Sequence, residues 1–309
     1  MKKICVMLST YNGEKFLEKQ LASLLSQKCR YQIDIVIRDD GSKDNTVTVL
    51  KRWVNKYPSI KLLNDQKKLG PARSFYNLLK QCSGYDYYSF SDQDDIWDSN
   101  KLEIAIENIE KCNYLSDPIL YCCNSRKIDF KGQEVIQRTT CETPKFNGCS
   151  LMVAGFAQGC SMVFTNLVRE EMLNFSSDIF PMHDLAALTC TYFSGKIIYD
   201  NVPHFSHRIH GNNVDAITYN KNIFVRTSNA IGKWKKRSRN SPLNLCARNL
   251  LEKYSTNMNK DEKIFYKSLS NYKNNLKDKL YLFKFIQNNK FNSTSSNRSF
   301  GIRILLNLL

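Results

Sequence analysis

A chain of 309 residues with 42% hydrophobic and 12% aromatic residues can bury a sizeable core, which excludes a disordered protein. No apolar run approaches the ~20 residues of a membrane-spanning helix, and the run Ile4–Leu8 is shorter than the ~7–15 residues of a signal-peptide core. The net charge of +16 is unevenly placed: residues 221–309 hold 19 Lys and Arg against 4 Asp and Glu, whereas residues 1–220 hold 26 against 25.

Lys3–Leu8 reads as a buried strand ended by Ser9-Thr10-Tyr11-Asn12-Gly13. Phe16, Leu17, Leu21, Leu24 and Leu25 recur at helical spacing, so Glu14–Gln27 is an amphipathic helix. Ile33–Arg38 is a second strand, stopped by Asp39-Asp40-Gly41-Ser42, and Asp44 caps a helix over Thr46–Tyr57 that Pro58 ends. Ile60–Leu63 is a third strand, and Pro71 opens a helix over Ala72–Gln81. Tyr87–Phe90 is a fourth strand that runs into Ser91-Asp92-Gln93-Asp94-Asp95-Ile96-Trp97, with a helix starting near Asn100. Ile119–Cys123 and Lys127–Phe130 read as two strands, with Lys131-Gly132-Gln133 as a turn. Asn166–Phe175 and Asp184–Phe193 read as helices, Lys196–Tyr199 as a strand, and His204–Ile209 leads into His210-Gly211-Asn212-Asn213. Further on, Phe265, Leu269, Tyr272, Leu276, Leu280 and Phe283 form one helical face opposite lysines. A polar linker at Asn288–Ser299 and a last amphipathic segment, Ile302–Leu309, follow.

Alternating strands and helices with short connections predict an α/β fold with a largely parallel sheet. Ligands of such sheets bind outside the carboxyl ends of the strands, which is where Ser9–Asn12, Asp39–Ser42 and Asp92–Asp95 fall. Clustered carboxylates repel one another near a core, and a divalent cation removes that cost. The plainer reading of the acidic loop is a solvated turn capping the next helix. The eleven cysteines are odd in number, lack any Cys-x-x-Cys pair and sit mostly in apolar company. They read as buried free thiols in a reducing compartment, the cytosol.

Together, Met7-Leu8-Ser9-Thr10-Tyr11-Asn12-Gly13, Ile37-Arg38-Asp39-Asp40-Gly41-Ser42 and Ser91–Trp97 resemble the family 2 glycosyltransferases, inverting enzymes of the GT-A fold. With His183-Asp184 and His210-Gly211-Asn212-Asn213, the pattern looks most like the bacterial rhamnosyltransferase branch that builds capsule, O-antigen or wall polysaccharide. The resemblance spans roughly residues 3–215. It implies a nucleotide-sugar donor, dTDP-L-rhamnose, with a UDP-sugar as the alternative. The implied acceptor is a glycan on a lipid diphosphate, and the implied cofactor is Mg²⁺ or Mn²⁺. By the resemblance Asp94 is the metal ligand and Asp92 lies against the ribose or the hydrated ion. Asp95 is a second ligand, a supporting group or a helix cap. Asp40 accepts the pyrimidine N3–H, and Asp39 shares that role or shapes the turn. Thr10, Tyr11 and Asn12 line the nucleoside. Arg73 lies near the nucleotide, or is only a solvated helix charge. Asp184 is the catalytic base, a role compatible with helix capping, and His183 orients it or meets the acceptor. His210 completes the metal shell or touches the diphosphate, against a merely structural turn. Gln158 and Gly159 belong to the acceptor side, and Cys160 has no direct catalytic role.

A sugar-phosphate nucleotidyltransferase would need a glycine-rich loop after the first strand, and a dinucleotide dehydrogenase would need Gly-x-Gly-x-x-Gly there; Ser9–Gly13 has one glycine. Residues 1–220 are expected to form the catalytic domain, with 1–115 as its nucleotide half and 116–220 as its acceptor half. Residues 221–309 are expected to be a basic helical appendage. Its lysines match no nucleic-acid module, which disfavours the non-enzymatic reading of a nucleic-acid-binding protein. They suit the anionic inner face of the cytoplasmic membrane, and a packing or homodimerisation element is the alternative.

Overall fold

The computed structural model describes residues 2–65, 67–135, 146–153, 157–209, 232, 242–289 and 294–309. Its centre is β1 (Lys3–Thr10), in which Ile4, Cys5, Val6, Met7 and Leu8 are all fully buried. Because side chains alternate along a strand, Ile4, Val6 and Leu8 enter one core while Cys5 and Met7 enter another. The strand is therefore covered on both faces, as a continuous apolar run requires.

The other strands are β2 (Gln32–Asp39), β3 (Ile60–Leu62), β4 (Tyr87–Ser91), β5 (Ile96–Trp97), β6 (Ile119–Ile128), β7 (Met162–Thr165) and β8 (Lys196–Arg208). They form an eight-stranded sheet of order β3-β2-β1-β4-β7-β6-β8-β5. β1 to β4 run parallel, β7 runs against both β4 and β6, β8 runs parallel to β6, and β5 opposes β8. Six strands thus share one direction, and the carboxyl ends of β1, β2 and β4 open on one side.

One core face is covered by α1 (Leu17–Leu25), α2 (Thr46–Lys56) and α4 (Lys101–Glu110). The other takes α3 (Pro71–Gln81), α5 (Gly148–Val153), α6 (Asn166–Leu173) and α7 (His183–Ser194). Asp44 does anchor the start of α2, its Oδ1 accepting the Thr46 N–H at 3.0 Å.

The sheet corrects two expectations. The segments read as separate strands around residues 119–130 form one strand, β6, with register irregularities at Cys123–Arg126. Arg126 holds that polar interruption to the sheet by donating to the Pro203 carbonyl at 3.0 Å and to Asp98. Likewise β8 continues through Asp200–Pro203, where Asp200 accepts from the Tyr121 hydroxyl at 2.8 Å and pairs with His204 at 3.0 Å.

The C-terminal helices are α8 (Leu243–Tyr254), α9 (Lys260–Asn271), α10 (Leu276–Asn288) and α11 (Thr294–Leu305). They share the core of α3 and α7 through Cys246, Leu250, Phe265, Leu269, Leu282 and Ile286. Glu262 is buried and accepts from the Gly148 N–H at 3.0 Å and the Tyr192 hydroxyl at 2.8 Å. The single apolar stripe read from Phe265 to Phe283 is broken between α9 and α10. Asn275 caps α10 by accepting the Lys277 N–H at 2.9 Å, and the new helix turns Leu282 and Ile286 inward. Leu276 and Leu280 consequently stay 70% and 51% exposed, beside the exposed Lys277 and Lys284. The segment read as a polar linker at 288–299 contains the start of α11. Among the described residues no helix is long and apolar enough to cross a membrane. The ten described cysteines are free.

Candidate active site

Where β1, β2 and β4 end, a cleft of about 750 Å³ opens. Its walls include Thr10, Tyr11, Asn12, Asp40, Asp92, Asp94, Gln158, Gly159, His183 and Asp184.

The β1 end is built by hydrogen bonds to the β2 end. Asn12 sits at φ 49°, a left-handed conformation that asparagine tolerates. Its N–H donates to Ser42 Oγ and its Oδ1 accepts the Lys43 N–H, both at 2.8 Å. Asp39 is buried and spends both oxygens on the turn. Oδ1 accepts from Thr10 Oγ1 at 2.8 Å and Ser42 Oγ at 2.6 Å, and Oδ2 accepts the N–H groups of Gly41 and Ser42 at 3.1 and 2.8 Å. A carboxylate has about four acceptor positions, so Asp39 is filled by the turn and does not line the cleft.

Asp40 differs. Its Oδ1 accepts from Arg38 Nη1 at 2.8 Å and the Leu69 N–H at 2.6 Å, and its Oδ2 accepts the Gly70 N–H at 2.9 Å. By the same count of about four positions, one on Oδ2 remains for a ligand. Arg38 is fully buried and also reaches Asp65, Ser74 and the Lys67 carbonyl, which joins the segment before α3 to Asp40. From that segment Lys68 Nζ donates to the Tyr11 hydroxyl at 2.7 Å and lies 4.2 Å from the ring centroid, which lowers the pKa of the phenol.

The acidic loop divides its carboxylates. Asp92 and Asp94 face the cleft, whereas Asp95 is fully buried and pairs with His207 Nδ1 at 2.9 Å. Asp95 does not cap α4, whose N-cap is Asn100. Burial, followed by the charges of Asp95 and Asp94, pushes the Asp92 carboxyl up to about 8. Such crowding is relieved by a cation, and a set of carboxylate oxygens open to the cleft fits a hard divalent ion. Arg208, buried on β8, supports the loop from its Nε to the Asp94 carbonyl at 2.9 Å. Among the described residues Asp95, Cys160 and His207 bring ligand atoms within 4.8 Å of one another. Burial and then Asp95 and Asp92 push the Cys160 thiol well up, which keeps it protonated and unsuited to nucleophilic work.

Asp184 lies in the first turn of α7, whose N-cap is Met182, and its Oδ1 accepts the Leu185 N–H at 2.7 Å. A helix N-terminus stabilises a carboxylate. Beside it His183 is buried, its ring 3.9 Å from that of Phe75 and 4.7 Å from that of Phe90. Among the described residues neither ring nitrogen has a hydrogen-bond partner, and a Cβ on Gly159 would lie 2.2 Å from Nε2. Glycine at 159 is what lets this imidazole close the cleft wall.

Arg73 is exposed and does not line the cleft; its charge acts on Asp178. His210 lies outside the described residues. Lys68 and Gln93 line the cleft although no sequence motif marks them as site residues, and so does His207, which the resemblance ranks behind His210 for the metal or diphosphate role.

A family model described as Glycosyl transferase family 2 matches residues 5–170, the stretch that supplies both the nucleotide-side turns and the acidic loop. The chain belongs to glycosyl transferase family 2. Within the family, a Shigella flexneri protein described as dTDP-rhamnosyl transferase RfbG is 42% identical over 128 residues, 39% of this chain and 44% of its own length. An Escherichia coli protein described as UDP-Glc:alpha-D-GlcNAc-diphosphoundecaprenol beta-1,3-glucosyltransferase WfgD is 32% identical over 110 residues, 36% of this chain and 42% of its own length. The chain thus spans less than half the length of each of these curated relatives. The crystal structure of S. aureus TarS 1-349 matches with a TM-score of 0.56 at 18% identity, covering 93% of this chain and 80% of that one. Its complex with UDP-GlcNAc matches at 0.53 and 17% identity, covering 93% and 81%. These likenesses place the family 2 chain in the GT-A fold.

Burial pushes His183 down from 6.5 to about 3, so it is neutral in the folded protein at ordinary pH. Between those values the unfolded chain binds a proton that the folded one refuses. Its contribution to stability is therefore complete above pH 6.5 and is lost as pH falls toward 3. Thermal denaturation from pH 7 to 4 is expected to show a steeper loss in the wild type than in His183→Gln. Parallel curves would mean that His183 charges without unfolding.

Proposed function

We propose that this glycosyltransferase moves L-rhamnose from dTDP-L-rhamnose onto a hydroxyl of a lipid-diphosphate-linked glycan, with inversion at the anomeric carbon. The observation that carries the reading is that Asp184 shares one cleft with Asp40, Asp92 and Asp94. A carboxylate able to act as base for the attacking hydroxyl thus shares the space with acidic groups that, through a divalent cation, suit a nucleotide diphosphate. The rhamnosyl donor is supported by the name of the Shigella relative, and a lipid-diphosphate acceptor by that of the E. coli relative.

The remaining acceptor position of Asp40 suits the imide N–H of thymine or uracil, and the half-open Tyr11 ring offers a stacking face. Asp92 and Asp94 would hold Mg²⁺ or Mn²⁺. When bound, such an ion offsets the charge that grows on a departing diphosphate. Asp184 takes the proton of the acceptor hydroxyl as that oxygen bonds to the anomeric carbon. The bond from that carbon to the donor phosphate breaks in the same displacement, and the nucleoside diphosphate leaves as an anion. One such displacement turns a β-linked rhamnosyl donor into an α-rhamnoside.

The second reading is a UDP-sugar donor, favoured by the UDP-Glc in the E. coli relative's name and by the UDP-GlcNAc complex of TarS. Calorimetry with dTDP-rhamnose, UDP-glucose and UDP-GlcNAc, each with Mn²⁺ or with chelator, separates the two. We expect dTDP-rhamnose to bind and chelator to weaken it. Binding of a UDP-sugar alone selects the second reading, and binding of none removes both.

A further inference from the structure

Gln93 stands between two cleft-facing carboxylates, yet its carboxamide engages the first turn instead. Oε1 accepts the Tyr11 N–H at 2.8 Å, and Nε2 donates to the Tyr11 carbonyl at 3.0 Å. The side chain thus pairs with the donor and the acceptor of one residue, as a neighbouring strand would. Few side chains can do this: an ionised glutamate only accepts and a lysine only donates. The space it uses exists because residue 13 is glycine, since a Cβ there would lie 2.2 Å from Gln93 Oε1.

The pairing sits at a junction. Tyr11 is held on its ring side by Lys68, and Asn12 is held by Ser42 and Lys43. Through Gln93 that assembly meets the loop carrying Asp92 and Asp94, whose far side is fixed to β8 by Arg208. Movement of the Tyr11 backbone is therefore transmitted to the residue between the two carboxylates.

We infer that Gln93 is a positioning residue that couples nucleoside binding at Tyr11 to cation binding at Asp92 and Asp94. This rests on reading the cleft as a nucleotide-diphosphate site. A ligand at either end holds the hydrogen-bonded turn–loop pair in one arrangement, so the second ligand meets a pair already fixed. Such coupling is reciprocal: the factor by which Mn²⁺ raises nucleotide affinity equals the factor by which nucleotide raises Mn²⁺ affinity.

Titration calorimetry of dTDP and UDP, with and without Mn²⁺, measures that factor directly. The proteins compared are the wild type, Gln93→Met, which keeps the length without the paired bonds, and Gly13→Ala, which evicts the carboxamide from the other side. Two net hydrogen bonds are worth about a tenfold change or somewhat more. We expect the coupling factor to fall by about tenfold in both variants, while metal-free nucleotide affinity changes by less than about threefold. Melting curves identify any variant that fails to fold, and the other variant then decides. A coupling factor near one in the wild type, or one unchanged in a folded variant, overturns the inference. A wild type that binds neither nucleotide overturns the nucleotide reading itself, and the coupling with it.

Discussion

Asp184→Asn is expected to lower kcat by about 10³-fold while leaving nucleotide-sugar affinity within about twofold. The change keeps the size of the side chain and an oxygen to accept the Leu185 N–H, so the first turn of α7 retains its contact. What is lost is the ability to take a proton, and a neutral amide cannot activate a hydroxyl. The neighbouring imidazole is a poor substitute, because burial disfavours the cation that His183 would become on taking a proton, and Gly159 closes on its Nε2. Calorimetry for the donor beside a steady-state assay separates the two quantities. Parallel loss of affinity and turnover would assign Asp184 to the donor side and remove it as the base.

The parts of the fold that were legible are those in which one segment carries its own signal. The five-residue buried run of β1 and the periodic faces of α1 and α3 lie close to their expected limits. The apolar pattern predicts only a short strand at the start of β8, because Asp200, Asn201 and Pro203 interrupt it. Its continuity depends on Tyr121, Arg126 and the pairing with β6, about eighty residues away. A spacing rule also carried the Phe265–Phe283 stripe across the break at Tyr272–Asn275. Three- and four-residue spacing persists through a turn as readily as through a helix, so only packing shows which face of α10 is covered.

The candidate site divides in the same way. Asp92, Asp94 and Asp40 stand in short polar clusters at strand ends, which local sequence marks, whereas Asp184 follows Phe180-Pro181-Met182 and is singled out mainly by the family resemblance. Lys68 and Gln93 gain meaning from partners 57 and 82 positions distant, and no local pattern marks them; His207, ranked behind His210 on sequence, meets Asp95 from 112 positions away. Arg73 shows the converse. Pro71 and Phe75, four residues apart, share the cleft face of α3, and residue 73 falls on the other side of that turn.

Asp94→Ala and Asp94→Asn are both expected to weaken donor binding in the presence of Mn²⁺ by about 10²-fold. Asp94 is buried to 8% exposure on the cleft wall, and its main-chain carbonyl is held by Arg208 from β8. The loop backbone therefore has a support that neither substitution touches, so lost affinity reports the carboxylate and not a collapsed loop. Asp95 is committed to His207, and Asp92 already serves as the other cleft-facing carboxylate. Neither is placed to replace a missing charge. Chelator should bring the wild type to the level of the variants and should leave the variants unchanged, because both treatments remove the same contribution. Should the Asp94 variants keep the full Mn²⁺ dependence of the wild type, the cation is held elsewhere. The acidic loop would then be a structural turn and not the site that receives the diphosphate.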